Sequence, residues 1–174
     1  RPGQRGSRRE RTSERARRFG LPIDPVVADA ERLPFADGSF DLVYVHDGLH
    51  HLERPLDGLA EMARVARRAV CVTEPAQASV TRLAVRLGLA LEREEAGNRV
   101  ARLTTGEVAR ELASHGFRIL RAERYAMLYR HEPGLPMRAL SLPLVFPLAR
   151  AGLLAVNRLV GRFGNKLVVV GVKP

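Results

Sequence analysis

The stretch FADGSFDLVYVHDGLHHL (residues 35–52) places His46, Asp47, His50 and His51 within one short span. Imidazole changes charge near neutral pH, so each ring can take up or release a proton, and a nearby carboxylate can orient it and stabilise its cation. His50 and His51 are therefore candidate general bases, with Asp47 as their candidate partner. The plainer reading of the histidine pair is packing at the start of a helix. The same atoms could ligate a metal, but no second segment supplies a further ligand, so no metal is expected.

The elements that must hold these residues can be read around them. Phe40–Val45 is apolar and rich in β-branched and aromatic residues, the pattern of a buried strand, and Asp37-Gly38 marks the turn before it. Upstream, ERARRFG has the basic last turn and terminal glycine of a helix end at Gly20. Pro22 and Pro25 then lead into a short strand expected at Val26–Ala28. Downstream, Pro55 opens a helix where its missing N–H costs nothing. Leu56, Leu59, Ala60, Ala63 and Ala66 recur at helical spacing along it, so one face packs on a core. Ala69–Thr73 reads as a second strand, ending in Glu74-Pro75, and 78–92 as a helix. Thr104 and Glu107 have capping-box spacing, with Gly116 as the stop. Phe117–Leu128 reads as a strand or hairpin arm, and Lys166–Lys173 as a last strand.

Alternating strands and helices imply an α/β layer fold with a largely parallel sheet. Ligands of such sheets bind outside the carboxyl ends of the strands. That rule puts Asp29, His46–His51 and Glu74 on one functional edge.

Composition narrows the function classes. With 174 residues, 45% apolar and 28% charged, the chain fits one globular domain. Cys71 is the sole cysteine, so there is neither a disulfide framework nor a cysteine metal site, and a reducing, cytoplasmic setting is expected. The net charge of +10 is concentrated: residues 1–20 carry eight arginines and two glutamates, hence +6. Residues 1–13 read as a basic, solvated and disordered arm, and 14–174 as the domain. Aromatics are only 5% and tryptophan is absent. Nucleic-acid readers usually add exposed aromatics or a recognisable module, so no nucleic-acid partner is expected.

The same residues resemble the class I S-adenosylmethionine-dependent methyltransferases, in particular the methyltransferase type 11 group. The resemblance runs from about Ala16 to Pro75. It is densest in VVADAERLPFADGSFDLV (26–43) and resumes in Leu49-His-His-Leu52 and Glu61-Met-Ala-Arg-Val65. It implies a Rossmann-like sheet with flanking helices and S-adenosylmethionine as cofactor. It further implies that Asp29 accepts a hydrogen bond from the adenine amino group and that Ala30 offers its backbone N–H to a ring nitrogen. Leu33 would give apolar contact to the adenine, and His46 would touch the methionine part. The methyl acceptor would be a small, apolar metabolite.

The pattern breaks at the N-terminus. The family's first strand ends in a glycine-rich loop and its second in an acidic residue, whereas Arg1–Arg11 contains only Gly3 and Gly6 and no preceding strand. N-terminal strands are expected to be missing, making this a partial domain. A fragment is the first explanation, out-of-frame translation of GC-rich DNA the second, and a degenerate relative the third. Exposed sheet edges and apolar surface should follow. The alternative to an enzyme is a methyltransferase-like remnant serving as an interaction module.

One segment stands outside that pattern: PGLPMRALSLPLVFPLARAGLLAVNRLVGRFGN (133–165). Pro143, Pro147 and Arg150 interrupt it before the ~20 apolar residues of a spanning helix accumulate. It reads either as a helical insertion packed on the sheet or as a lid over an apolar acceptor pocket or an interfacial helix at a lipid surface.

Overall fold

The computed structural model describes residues 3–76, 103–127 and 135–174. The elements run α1 (Gly3–Arg18), β1 (Phe40–His46), a 3-10 turn (Leu49–His51), α2 (Pro55–Val65) and β2 (Ala66–Pro75). They continue with α3 (Thr105–Ser114), β3 (Arg118–Tyr125), α4 (Leu135–Leu140), α5 (Phe146–Val160), a second 3-10 turn (Gly161–Phe163) and β4 (Lys166–Val172). The four strands form one sheet in the order β1-β2-β4-β3. This is the α/β, Rossmann-like arrangement expected, although the sheet is mixed rather than largely parallel. Among the described strands only β1 and β2 pair in parallel; β4 runs antiparallel to both β2 and β3.

Strand alternation decides which side chains enter the core. Val43 and Val45 of β1 stand beside Val70 and Val72 of β2 on one face, joined by Leu167 and Val169 of β4. Leu59, Met62 and Ala63 of α2 and Val108 and Leu112 of α3 cover that face and complete the core. The Thr104–Glu107 capping box forms as expected. Gly116 (φ 81°) takes the left-handed conformation after α3, letting Phe117 N–H reach the Leu112 carbonyl at 3.1 Å. The opposite face of β1 exposes Phe40, Leu42 and Tyr44, the bare apolar surface anticipated for this sheet.

Several expectations need correcting. Val26–Ala28 is not a strand: no described strand lies alongside to pair with it, and Val26 and Val27 are exposed. The only ladder contact nearby is a single bridge between Asp29 and Arg32. The basic arm 1–13 is solvated from Glu10 onward but not disordered from Gly3 on, because it is continuous with α1. Its arginines, glutamates and glutamine are good helix formers, and Ala16 gives the helix one buried anchor. Ala66 belongs to β2 rather than to α2, the chain turning from helix into strand without a loop. The helix expected at 78–92 lies outside the described residues. Residues 135–160 supply α4 and α5, and no residue of α5 is buried.

Candidate functional site

The carboxyl ends of β1, β2 and β3 and the start of β4 meet at one edge. Register places His46 opposite Thr73, and Lys166 opposite both Pro75 and Tyr125. Beyond His46 the chain must reverse within a few residues to begin α2. Asp47 makes that reversal with φ 51°, a left-handed conformation that aspartate tolerates better than most residues. Its backbone N–H is held by the Thr73 carbonyl at 2.9 Å, and its carboxylate pairs with the Lys166 ammonium. Lys166 is itself largely buried, so its charge needs this partner.

His46 is exposed. Its Nδ1 lies 2.7 Å from Thr73 Oγ1, and its Nε2 lies 3.6 Å from Asp47 Oδ2. Tyr44 stacks alongside the ring, and its hydroxyl lies 3.3 Å from the same threonine oxygen. Tyr125, at the end of β3, has its hydroxyl pKa pushed up, chiefly by burial and then by the negative charge of Asp47.

The two adjacent histidines separate sharply. His50 is 2% exposed and its Nδ1 lies 2.7 Å from Glu74 Oε2, whereas His51 is exposed with its ring centroid 4.0 Å from that of His50. Glu74 is 0% exposed. Its Oε1 accepts the Gly48 and Leu49 N–H groups at 2.7 and 2.8 Å, so one buried carboxylate satisfies the start of the 3-10 turn and orients the His50 ring together. The carboxylate serving His50 is therefore Glu74. Asp47, the expected partner of the histidine pair, is engaged with Lys166 and stands beside His46.

The loop carrying Asp29, Ala30 and Leu33 is fixed by α2. Leu33 N–H donates to Glu61 Oε2 at 2.7 Å. Arg64 grips the same glutamate through Nε and Nη2, at 2.7 and 2.8 Å, and also donates to the Leu33 and Phe35 carbonyls. Glu61 is held below the usual carboxylate range, first by the Arg64 hydrogen bond, against a smaller opposing effect of burial. Arg64 is correspondingly raised, by Glu61 and then Asp37. Gly58 allows close approach: a Cβ there would lie 2.3 Å from Leu52 Cδ1 and 3.5 Å from the Ala30 carbonyl oxygen.

Asp29 and Ala30 are exposed and Leu33 is half-buried. Asp29 Oδ1 accepts the Glu31 N–H at 2.9 Å, an Asx turn that fixes the carboxylate while its other oxygen lies outside the turn. A carboxylate acceptor, an adjacent exposed backbone segment and an apolar neighbour form a donor-and-acceptor set suited to the edge of an adenine ring. Glu61, Arg64 and Lys166 are residues to which sequence reasoning gave no role, and Glu74 is one that it placed on the functional edge without a partner. Glu61 and Arg64 had a signal, an i,i+3 acid–base pair on a helix face that otherwise packs inward. Lys166 and Glu74 had a weaker one, a charge at the end of an apolar strand.

On the sheet face away from α2 and α3, a groove runs between β3 and α5, lined by Thr73, Arg121, Tyr125, Val168, Leu154 and Arg158. Thr73 connects it to His46. Asn157 ties α5 to the groove's rim, its Oδ1 accepting the Ala126 N–H at 2.6 Å and its Nδ2 donating to the Ala126 carbonyl at 3.0 Å. Among the described residues no group of three or more His, Cys, Asp or Glu is placed to hold a metal ion. No described helix is long and apolar enough to cross a membrane.

Comparison with known proteins agrees with this geometry. Residues 6–71 match the family model described as "Methyltransferase domain". A demethylmenaquinone methyltransferase of Beutenbergia cavernae is 55% identical over 42 residues, 24% of this chain and 18% of that protein. The match thus spans under a fifth of the curated relative's length. In three dimensions the chain is similar to the YcgJ protein of Bacillus subtilis (TM-score 0.62, 15% identity, 95% of this chain and 77% of that one). It is also similar to a SAM-dependent methyltransferase of Thermotoga maritima (TM-score 0.54, 18% identity, 95% and 70%). Residues 6–71 thus match a methyltransferase-domain model, and the fold around them is similar to that of solved proteins that include a SAM-dependent methyltransferase.

Proposed function

We propose that the protein to which this chain belongs transfers a methyl group from S-adenosylmethionine to a small, apolar acceptor. The observation that carries the reading is the loop Asp29–Leu33, an exposed acceptor carboxylate held by Glu61 and Arg64 on the helix that follows the His46 edge. Asp29 and the Ala30 N–H would hold the adenine edge, Leu33 its face, and His46 the methionine part. The bound cofactor supplies a methyl group already activated as a sulfonium. What the chain must add is alignment, exclusion of water and, for an oxygen or nitrogen nucleophile, a proton acceptor.

The exposure of His51 supports it as that acceptor. Burial of His50 against Glu74 supports a positioning role, in which the ring steadies the turn that carries His51. Asp47, paired with Lys166, would hold the rim and the orientation of His46. The groove beside Thr73, with Tyr125, Val168 and Leu154 in its wall, supports an apolar acceptor. The quinone-related name of the Beutenbergia relative points the same way. Cysteine usage supports a cytoplasmic setting.

Calorimetric titration of S-adenosylmethionine into the full-length gene product and its Asp29→Ala variant tests the reading. Loss of a charged acceptor should weaken binding by about 1.5–3 kcal/mol, while the melting temperature stays close to that of the parent. Equal affinity in a folded Asp29→Ala variant would remove the adenine assignment. His51→Ala should lower turnover by about 10²–10⁴-fold with cofactor affinity intact. Normal turnover in that variant would retire the base.

A further inference from the structure

α5 carries apolar residues on both of its long faces, and only one of these meets the rest of the described residues. Asn157 marks the inner side through its two bonds to Ala126. Leu148 lies nine residues earlier, about 180° around the helix at 100° per residue, Gly152, Ala155 and Leu159 fall on the same outer stripe, and Leu144 stands in the turn just before the helix. These outer leucines are the most exposed large apolar groups of the segment: Leu144 is 91% exposed, Leu148 76% and Leu159 78%. Such a continuous apolar stripe on a soluble surface marks an interaction site.

The charge pattern identifies its occupant. From residue 133 to residue 165 the sequence holds Arg138, Arg150, Arg158 and Arg162 and not one aspartate or glutamate. All four arginines belong to exposed residues. At 15 residues α5 is about 22 Å long, short of the ~30 Å hydrocarbon core, so it would lie along a bilayer rather than cross it. Arg158 stands at the margin of that stripe, about 100° from Leu159, and no acid lies in the segment, a pattern that matches an anionic lipid surface, where the leucines enter the acyl boundary and the guanidinium group meets a headgroup phosphate. A second copy of the chain would offer the same cations in return, and like charges would face each other.

We infer that the outer stripe of α5 docks the protein on the surface of an anionic lipid bilayer. This is independent of whether the protein transfers methyl groups. Docking would place the groove beneath α5 at the level where an apolar molecule dissolved in the membrane is met.

The test is flotation of the full-length gene product with vesicles of phosphatidylcholine alone and of phosphatidylcholine mixed with phosphatidylglycerol. Binding to the anionic vesicles is expected, and the paired variant Leu148→Ser, Leu159→Ser should lower the partition coefficient at least about tenfold. Arg158→Ala should lower it about fivefold on anionic vesicles only, whereas Arg150→Ala, about 180° from Leu159 on the inner side, should leave it unchanged. All four positions are exposed, so the far-ultraviolet circular dichroism should be unchanged. The chain has no tryptophan, so Leu159→Trp provides a single reporter whose emission should shift to the blue on anionic vesicles.

Three results would overturn the inference. One is no binding to anionic vesicles by the folded protein. Another is binding that survives the paired leucine variant, which would assign it to the arginine-rich α1. The third is self-association abolished by that variant, with no lipid binding, which would make the stripe a contact between copies.

Discussion

Replacing Glu74 tests whether one buried carboxylate organises the candidate site. It is 0% exposed and accepts Gly48 N–H at 2.7 Å, Leu49 N–H at 2.8 Å and His50 Nδ1–H at 2.7 Å; a fourth contact, from His50 N–H, is long at 3.4 Å. Glu74→Ala removes the acceptor and leaves these donors behind. A buried donor left unsatisfied costs about 1–3 kcal/mol. Counting Leu49 N–H and the His50 ring in full, and part-buried Gly48 only in part, gives a loss of about 3–6 kcal/mol. That is a large share of the ~5–15 kcal/mol that holds a typical domain together.

Glu74→Gln separates acceptor geometry from charge. Its carbonyl oxygen can still serve Gly48 and Leu49, and its amide can donate to His50 once the ring moves its proton to Nε2. The expected loss is about 1–2 kcal/mol. Urea titration followed by circular dichroism measures both variants. A loss below about 1 kcal/mol for Glu74→Ala, within the range of ordinary surface substitutions, would refute the reasoning. Equal losses for Ala and Gln would show that the charge matters rather than the acceptor count.

Two further predictions concern backbone approach and pH. A Cβ at Gly164 would lie 2.0 Å from the Tyr125 carbonyl carbon and 2.4 Å from Ala126 N, so Gly164→Ala should cost at least about 3 kcal/mol; Gly152→Ala, with nothing within 4 Å, should be neutral or slightly stabilising on thermal melting. The folded pKa of Glu61 is depressed by Arg64, so its stabilising contribution is complete above the unfolded value of about 4.3 and fades as pH falls through the lower folded value. Melting curves of the parent and of Glu61→Gln should therefore stay apart near neutrality and converge as the pH drops below about 4; a gap that persists at low pH would place the effect elsewhere.

The parts of this fold that were legible in the sequence are those whose signals are local. The capping box at Thr104, the stop at Gly116, the proline start of α2 and the β-branched and aromatic run Phe40–Val45 each act within a few residues, and each formed its element, although the strand expected to be buried exposes Phe40, Leu42 and Tyr44. Val26–Ala28 failed for the opposite reason: β-branched residues favour a strand only when another strand lies alongside, and here none of the described ones does. The direction of β4 was equally invisible, since an apolar run reads the same in a parallel and an antiparallel sheet.

The site divides along the same line. His46, Asp47, His50 and His51 could be named because they cluster in sequence, but their roles depend on partners about 25 to 120 residues away. Two adjacent histidines of identical intrinsic chemistry end with one sealed against Glu74 and one facing solvent. Sequence spacing alone could not distinguish them, because the distinction is made by β2. The strand brings a buried carboxylate to the edge where β1 ends, and that carboxylate decides which histidine is sealed into the scaffold while the other stays exposed.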